Sequence, residues 1–313
     1  MSNLGQAAAW LDTERANLHA AVDHAAARAQ FRHAVAIPAA MSGFLTARGY
    51  WDQSAALHQA ALTVARRAGD LPGQADTLTE LGVLQGETGS YPDAAATLTQ
   101  AVAIYGDAGD VPGQAYALNQ LGYLRALTGD YPAAAASQQQ ALALFGDLGS
   151  PEGQAYALND LGIAQRQTGD YPAAAASHQQ ALALYREFGN RLGQAEALNR
   201  LGDLSSRTSA TGQARQYHAQ ALAIARDLSA PLEEARALEG LGQTHLQDGN
   251  PSQAAAHLQQ ALTIYQRIGA PAARRVQETL HHHRLTTSEP QPAAPEGERH
   301  QPRAPAPPQE ATQ

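Results

Sequence analysis

Three consecutive histidines, His281, His282 and His283, are the densest set of metal-capable side chains in this sequence of 313 residues. A metal site needs ligands that converge. Neighbouring residues on a helix point in different directions, and no carboxylate or cysteine follows at ligand spacing, so the run reads as the solvated end of a helix. His178, His218 and His257 recur in successive segments, where earlier segments carry Gln138 or Leu98, and read as residues that fill a helix surface. Asp107 with Asp110, and the run Asp12-Thr13-Glu14, offer carboxylates for acid–base work. Turns and first helical turns favour the same residues, and capping is the reading taken. All 21 basic residues are Arg and none is Lys. A phosphate-binding loop needs a lysine to reach the phosphates, and a Schiff base needs its amine. The expectation is a chain without catalytic residues, cofactor or metal, and not an enzyme.

The elements that carry these residues follow from a repeat. Leu-Gly recurs at Leu81-Gly82, Leu121-Gly122, Leu161-Gly162, Leu201-Gly202 and Leu241-Gly242, always 40 residues apart. Segments 114–144 and 154–184 match almost residue for residue. A fixed period of this size marks units that cannot bury their apolar faces alone and must stack on their neighbours. Within one unit, Leu118 and Leu121 share a helical face. Gly129-Asp130-Tyr131-Pro132 then stops the chain and restarts it, with Gly129 suited to a left-handed cap and Pro132 to a first helical turn. In the second helix, Tyr131, Ala134, Ala135, Gln138, Ala141, Leu142 and Phe145 keep the 3.6-residue spacing, and Gly149 to Gly153 close the unit, with Pro151 in the loop. A mid-helix glycine costs roughly 1 kcal/mol against alanine, so Gly122 signals a close helix crossing beside Ala134 and Ala141, with Leu121 and Tyr131 filling the space around it.

Leu121-Gly122, Gly129-Asp130-Tyr131, Ala134 and Ala141 resemble the tetratricopeptide repeat signature, with Leu118 in place of its Trp and Arg125 in place of its usual Tyr. The resemblance implies an all-α, right-handed α-solenoid of helix pairs. Against a typical repeat of 34 residues, the six extra residues are expected to lengthen the second helix and the loop around Ser150-Pro151-Glu152-Gly153. The expected division is an N-terminal capping helix over 1–30, a degenerate repeat over 31–72, five repeats over 73–270, a capping helix over 271–285 and a disordered proline-rich tail over 286–313. In the first helix of the chain Trp10, Leu11, Leu18, Ala21, Val22 and Ala25 form one stripe. The fourth repeat has the least definite turn, because Ser209-Ala210-Thr211 stands where Gly-Asp-Tyr is expected.

The resemblance also implies a concave face lined by first helices that holds peptides or partner segments. Its inner-face positions fall on Tyr116, Asn119, Tyr123, Tyr156, Asn159, Arg166, Asn199, Asp203 and Arg207. The amides of Asn119, Asn159 and Asn199 could hydrogen-bond an extended ligand while the tyrosines supply contact area. Duplication alone would leave the same ladder. The clamp by which some family members hold an acidic C-terminus is not reproduced, since Gln120, Asp160 and Arg200 occupy its key asparagine place.

Ala9 to Val22, Leu45 to Trp51 and Ala56 to Ala61 resemble the helical region after the NTPase module of bacterial signal-transduction ATPases, among them antibiotic-pathway regulators with NB-ARC-type domains. In that family the repeats form a sensor arm. The resemblance implies a regulatory module for transcription or signalling, with a separate ATPase or DNA-binding regulator as partner. A free-standing scaffold or peptide sensor is the alternative. The net charge is −8, and the basic pairs Arg66-Arg67 and Arg274-Arg275 are the longest basic runs, which speaks against direct contact with nucleic acid. With no cysteine, no visible signal peptide and no apolar run long enough to span a bilayer, the expectation is a cytoplasmic protein without membrane contact.

Overall fold

The computed structural model describes residues 3–28, 30–283 and 285. The tail expected over 286–313 lies outside them. The described residues form α-helices joined by short links. The first three are α1 (Asn3–Ala27), α2 (Phe31–Ala47) and α3 (Trp51–Ala68). The repeats continue with α4 (Leu71–Glu87), α5 (Tyr91–Ala108), α6 (Val111–Leu127), α7 (Tyr131–Asp147), α8 (Pro151–Gln167) and α9 (Tyr171–Glu187). Then come α10 (Arg191–Arg207), α11 (Thr211–Asp227), α12 (Pro231–Gln247), α13 (Pro251–Arg267) and α14 (Ala272–His282).

The unit α6–α7 shows why the sequence folds this way. Gly129 takes φ 86°, the left-handed conformation open to glycine, and ends α6. Asp130 caps α7 by accepting a hydrogen bond from the Ala133 amide at 3.2 Å, and a proline occupies the first turn. The next link repeats the device: Ser150 Oγ accepts from the Gly153 amide at 3.2 Å and Pro151 opens α8. The expected long loop there is therefore absent. Helices of 17 residues with three-residue links complete the period, so both helices take up the extra length. Asp110 caps α6 through the Gly113 amide at 3.0 Å, as expected. Asp107 instead lies exposed in the last turn of α5, and Asp12 pairs with Arg48 at 2.7 Å in mid-helix.

The core is a line of small clusters between helices. Leu118, Leu121, Ala134 and Ala141 are buried, and a methyl group at Gly122 would meet the Gln138 side chain at 2.6 Å. Close crossing of α6 and α7 thus explains that glycine. Each helix packs on the next, and first helices also touch one another across units, α2 with α4, α4 with α6, α6 with α8 and α10 with α12. The first helices consequently line the concave side of an all-α solenoid. At the N-terminal end Val22 and Ala25 are buried, whereas Trp10 is exposed. The Asp12–Arg48 pair joins α1 to the end of α2.

Candidate functional site: the concave groove

Residues 40 apart occupy one row of the concave face, so each row can be followed along the solenoid. One runs Asp76, Tyr116, Tyr156, Glu196, Arg236, and another runs Glu80, Gln120, Asp160, Arg200, Gly240. Tyr116, Tyr123 and Tyr156 are 46%, 49% and 42% exposed, although phenol rings of this size are usually covered in a core. Burial of part of each ring in the groove raises the pKa of Tyr116 and Tyr123. For Tyr123 the neighbouring Asp160 carboxyl adds to this effect.

The asparagine row is divided. Asn119 is half-buried and its Oδ1 has no hydrogen-bond partner among the described residues. Asn159 and Asn199 are buried, and their amides are turned into the helix packing. Asn159 Oδ1 lies 3.1 Å from His178 Nδ1, and Asn199 Oδ1 lies 3.2 Å from His218 Nδ1. The Asn199 Nδ2 donates to the Glu233 backbone carbonyl at 3.1 Å and to its carboxylate at 3.0 Å. A carbonyl oxygen only accepts, so each histidine carries its proton on Nδ1.

These histidines are not surface filling. His178 and His218 are buried and belong to the row His58, Leu98, Gln138, His178, His218, Leu258, in which His257 has no place. His257 sits one residue earlier in its helix, is half-buried, and stacks on His245 with ring centroids 5.3 Å apart. The expected run His281 to His283 is exposed, and among the described residues no three His, Asp or Glu side chains are placed to hold one metal ion.

Arg166, Asp203 and Arg207 are brought together. With Arg200, Arg236 and Arg275 they line a cleft of about 610 Å³ between α8, α10, α12 and the start of α14. Arg200 and Arg236 fall in the two rows above, whereas Arg275, which stands 40 residues after Ala235, falls in neither and comes from the start of α14. Arg275 holds Glu239 by two bonds of 2.9 and 2.8 Å, and Arg236 pairs with Glu233. Arg207 donates to the Tyr171 hydroxyl at 2.7 Å. Burial pushes the Asp160 carboxyl up to about 7, with Glu196 adding to the effect and Arg200 opposing it. Asp203 is likewise raised by burial and opposed by Arg200 and Arg166. Such groups suit polar recognition along a groove floor. They are not arranged as a nucleophile with an adjoining base.

Among solved structures, the chain is similar to BtubC from P. vanneervenii, at 18% identity and TM-score 0.60, over 84% of this chain and 99% of that one. It is similar to a Signal Transduction ATPase with Numerous Domains that has a tetratricopeptide repeat sensor, from Pyrococcus horikoshii, at 13% identity and TM-score 0.64. That likeness spans 82% of this chain and 43% of the other. A third is a Rap protein complexed with Competence and Sporulation Factor, at 12% identity and TM-score 0.58, over 80% of this chain and 75% of that one. At these identities the likeness is one of fold. No curated protein matches the sequence. The family model for the tetratricopeptide repeat matches residues 38–107, 113–187 and 193–267, most of the length of the chain, which therefore belongs to the tetratricopeptide repeat family.

Proposed function

We propose that the chain is a non-catalytic binding module that holds a protein or peptide segment in its concave groove and serves regulation of transcription or signalling in the cytoplasm. The repeats support protein binding, and the row of open tyrosines on the inner face is the observation that carries the groove reading. Tyrosine combines a large, stiff apolar surface with a hydrogen-bonding tip, the combination that contact surfaces favour. Tyr116, Tyr123, Tyr156, Arg166, Asp203 and Arg207 are the proposed contacts, with Asn119 as the amide beside them. Asn159 and Asn199 support this surface from below by fixing His178 and His218. The regulatory part of the reading draws on the likeness to a sensor-bearing ATPase and to a Rap–peptide complex, and its partner would be a separate ATPase or DNA-binding regulator.

The test compares capture of partners by the purified chain with capture by a variant carrying Tyr116→Ala, Tyr123→Ala and Tyr156→Ala. The account expects a partner held by the first and lost by the folded variant. Equal capture by both sinks the groove reading.

A further inference from the structure

The row Tyr105, Phe145, Tyr185, Ala225, Tyr265 runs along the second helices, and its tyrosine hydroxyls point into the layer of first helices. Tyr105 donates to Asp76 of α4 at 2.6 Å, and Tyr265 to Glu239 of α12 at 3.0 Å. Tyr185, on α9, is fully buried, yet its hydroxyl has no hydrogen-bond partner among the described residues. In its unit the places of Asp76 and Glu239 are taken by Tyr156 and Asn159. Tyr156 stands edge-on to Tyr185, with ring centroids 5.8 Å apart, and its own hydroxyl accepts from Asn190 Nδ2 at 3.2 Å. Asn159 Oδ1 is committed to His178. A buried hydroxyl left unpaired is costly and rare, so this one marks a place for a group from outside.

Two carboxyls flank it. Asp160 follows Tyr156 by one turn of α8, and Glu196 holds the place of Tyr156 on α10. Both are half-buried, and neither makes a hydrogen bond or ion pair among the described residues. Burial raises the Tyr185 pKa and Glu196 and Asp160 add to the effect, which puts both carboxyls within electrostatic reach of the hydroxyl. Glu196 is itself raised by burial, helped by Glu233 and opposed by Arg236 and Arg200. Those arginines do not close the site, since Arg236 pairs with Glu233 and Arg200 faces the neighbouring cleft. Tyr123, on α6, stands open beside Asp160.

We infer that Asp160, Glu196 and the Tyr185 hydroxyl form a site for the ammonium group of a lysine side chain in the bound segment, with Tyr123 and Tyr156 flanking its stem; this rests on the groove reading above. Three separate acceptors match the three donors of an ammonium, and a slim unbranched stem reaches a buried hydroxyl more readily than a flat guanidinium does. The faces of the tyrosines add attraction for a cation. The net charge of −8, with Glu80 and Glu87 further along the same face, favours a basic segment as occupant.

The experiment measures fluorescence anisotropy of labelled hexalysine against the full chain, beside labelled hexa(acetyl-lysine), which keeps the stems without the charge. Binding of hexalysine is expected to weaken by about tenfold or more in Asp160→Asn/Glu196→Gln, the scale of losing charge-assisted hydrogen bonds. It should stay unchanged in Asp107→Asn/Asp147→Asn, which removes the same charge from exposed ends of α5 and α7. Tyr185→Phe removes no charge and no internal hydrogen bond, so it should keep its thermal midpoint and still weaken binding about threefold or more. It decides alone should the carboxylate variant lose its helical circular dichroism. Equal binding of the acetylated peptide, equal binding by the site variants, or no binding of hexalysine overturns the site. Hexa-arginine bound as tightly as hexalysine overturns the assignment to lysine. If hexalysine fails while the tyrosine variant of the groove still loses its captured partner, the groove reading stands without this site; if both fail, both fall.

Discussion

His178 Nδ1 lies 3.1 Å from Asn159 Oδ1, nineteen residues away, inside the crossing of α8 and α9. The ring presses on Gly162, where a methyl group would meet it at 2.7 Å. His218 repeats the contact against Asn199 and Gly202 one unit later. Each pair sits where Gln138 packs on Gly122 and Leu98 packs on Gly82 in the preceding units, so two successive repeats have exchanged an apolar or amide knob for a neutral imidazole with a dedicated acceptor. The glycine makes room for the knob, and the knob in turn forbids any larger residue at the glycine.

Buried in this way, the histidines resist protonation. Burial lowers His58 and His218 to about 4 and His178 to about 3, the last with help from Arg200 and Arg166. In the unfolded chain they titrate near 6.5, so below that pH the unfolded state binds protons that the folded state refuses. The stabilisation is present in full above about 6.5 and is lost as pH falls toward 4, on the order of 3 kcal/mol for each histidine. Thermal unfolding should show a midpoint clearly lower at pH 5 than at pH 7, and His178→Gln, which copies the Gln138 of the α6–α7 unit, should flatten the dependence. Identical midpoints at the two pH values contradict this.

Gly162→Ala and Gly242→Ala should each cost about 1–3 kcal/mol by overpacking, since their new methyl groups would meet His178 at 2.7 Å and Leu258 at 2.6 Å. Gly212→Ala is the contrasting case. Nothing lies within 4 Å of a methyl group there, and the helical position should gain up to about 1 kcal/mol. Denaturant titrations of the three variants decide whether the glycines differ in this order.

At the helix ends of the irregular fourth repeat, Ser209 and Ser229 hold φ of 61° and 53°, where most other units place a left-handed glycine. Ser209→Gly and Ser229→Gly should each stabilise the fold by about 1 kcal/mol, because the side chain's left-handed penalty disappears. A gain in neither, by denaturant titration, would show that the turns carry no strain.

Removing the Asp130 cap tests the link that sets the repeat register. Asp130→Ala leaves the Ala133 amide without its 3.2 Å acceptor and should cost about 1 kcal/mol, read as a lower denaturation midpoint. Asp107→Ala, at an exposed residue that caps nothing, should leave the midpoint where it was.

Much of the fold is legible in the sequence because the signals are local: Gly129-Asp130-Tyr131-Pro132 states a helix end, a cap and a helix start within four residues. Pro151 is more ambiguous, since a proline after Gly149-Ser150 suits a loop as well as a first helical turn, and in the folded chain it opens the turn. The groove is legible only as rows. Spacing assigns Tyr116, Tyr123 and Tyr156 to one face, but whether a polar side chain on that face looks outward depends on what its neighbour offers. Asn159 turns inward because His178 gives it a partner, and the signal for that is the row His58, Leu98, Gln138, His178, His218, Leu258, whose leucines mark it as core. Arg166, Arg200, Arg236 and Arg275 come from four different helices and line one cleft only in the folded chain, an association that no local pattern encodes.

The central claim is that the inner face, rather than the outer one, meets the partner. A photo-crosslinking residue at Tyr123, on the groove, and another at Gln180, exposed on α9, can be compared in cells that make the chain. The account predicts a discrete adduct from position 123 that position 180 does not give. An adduct from position 180 with none from position 123 would contradict it.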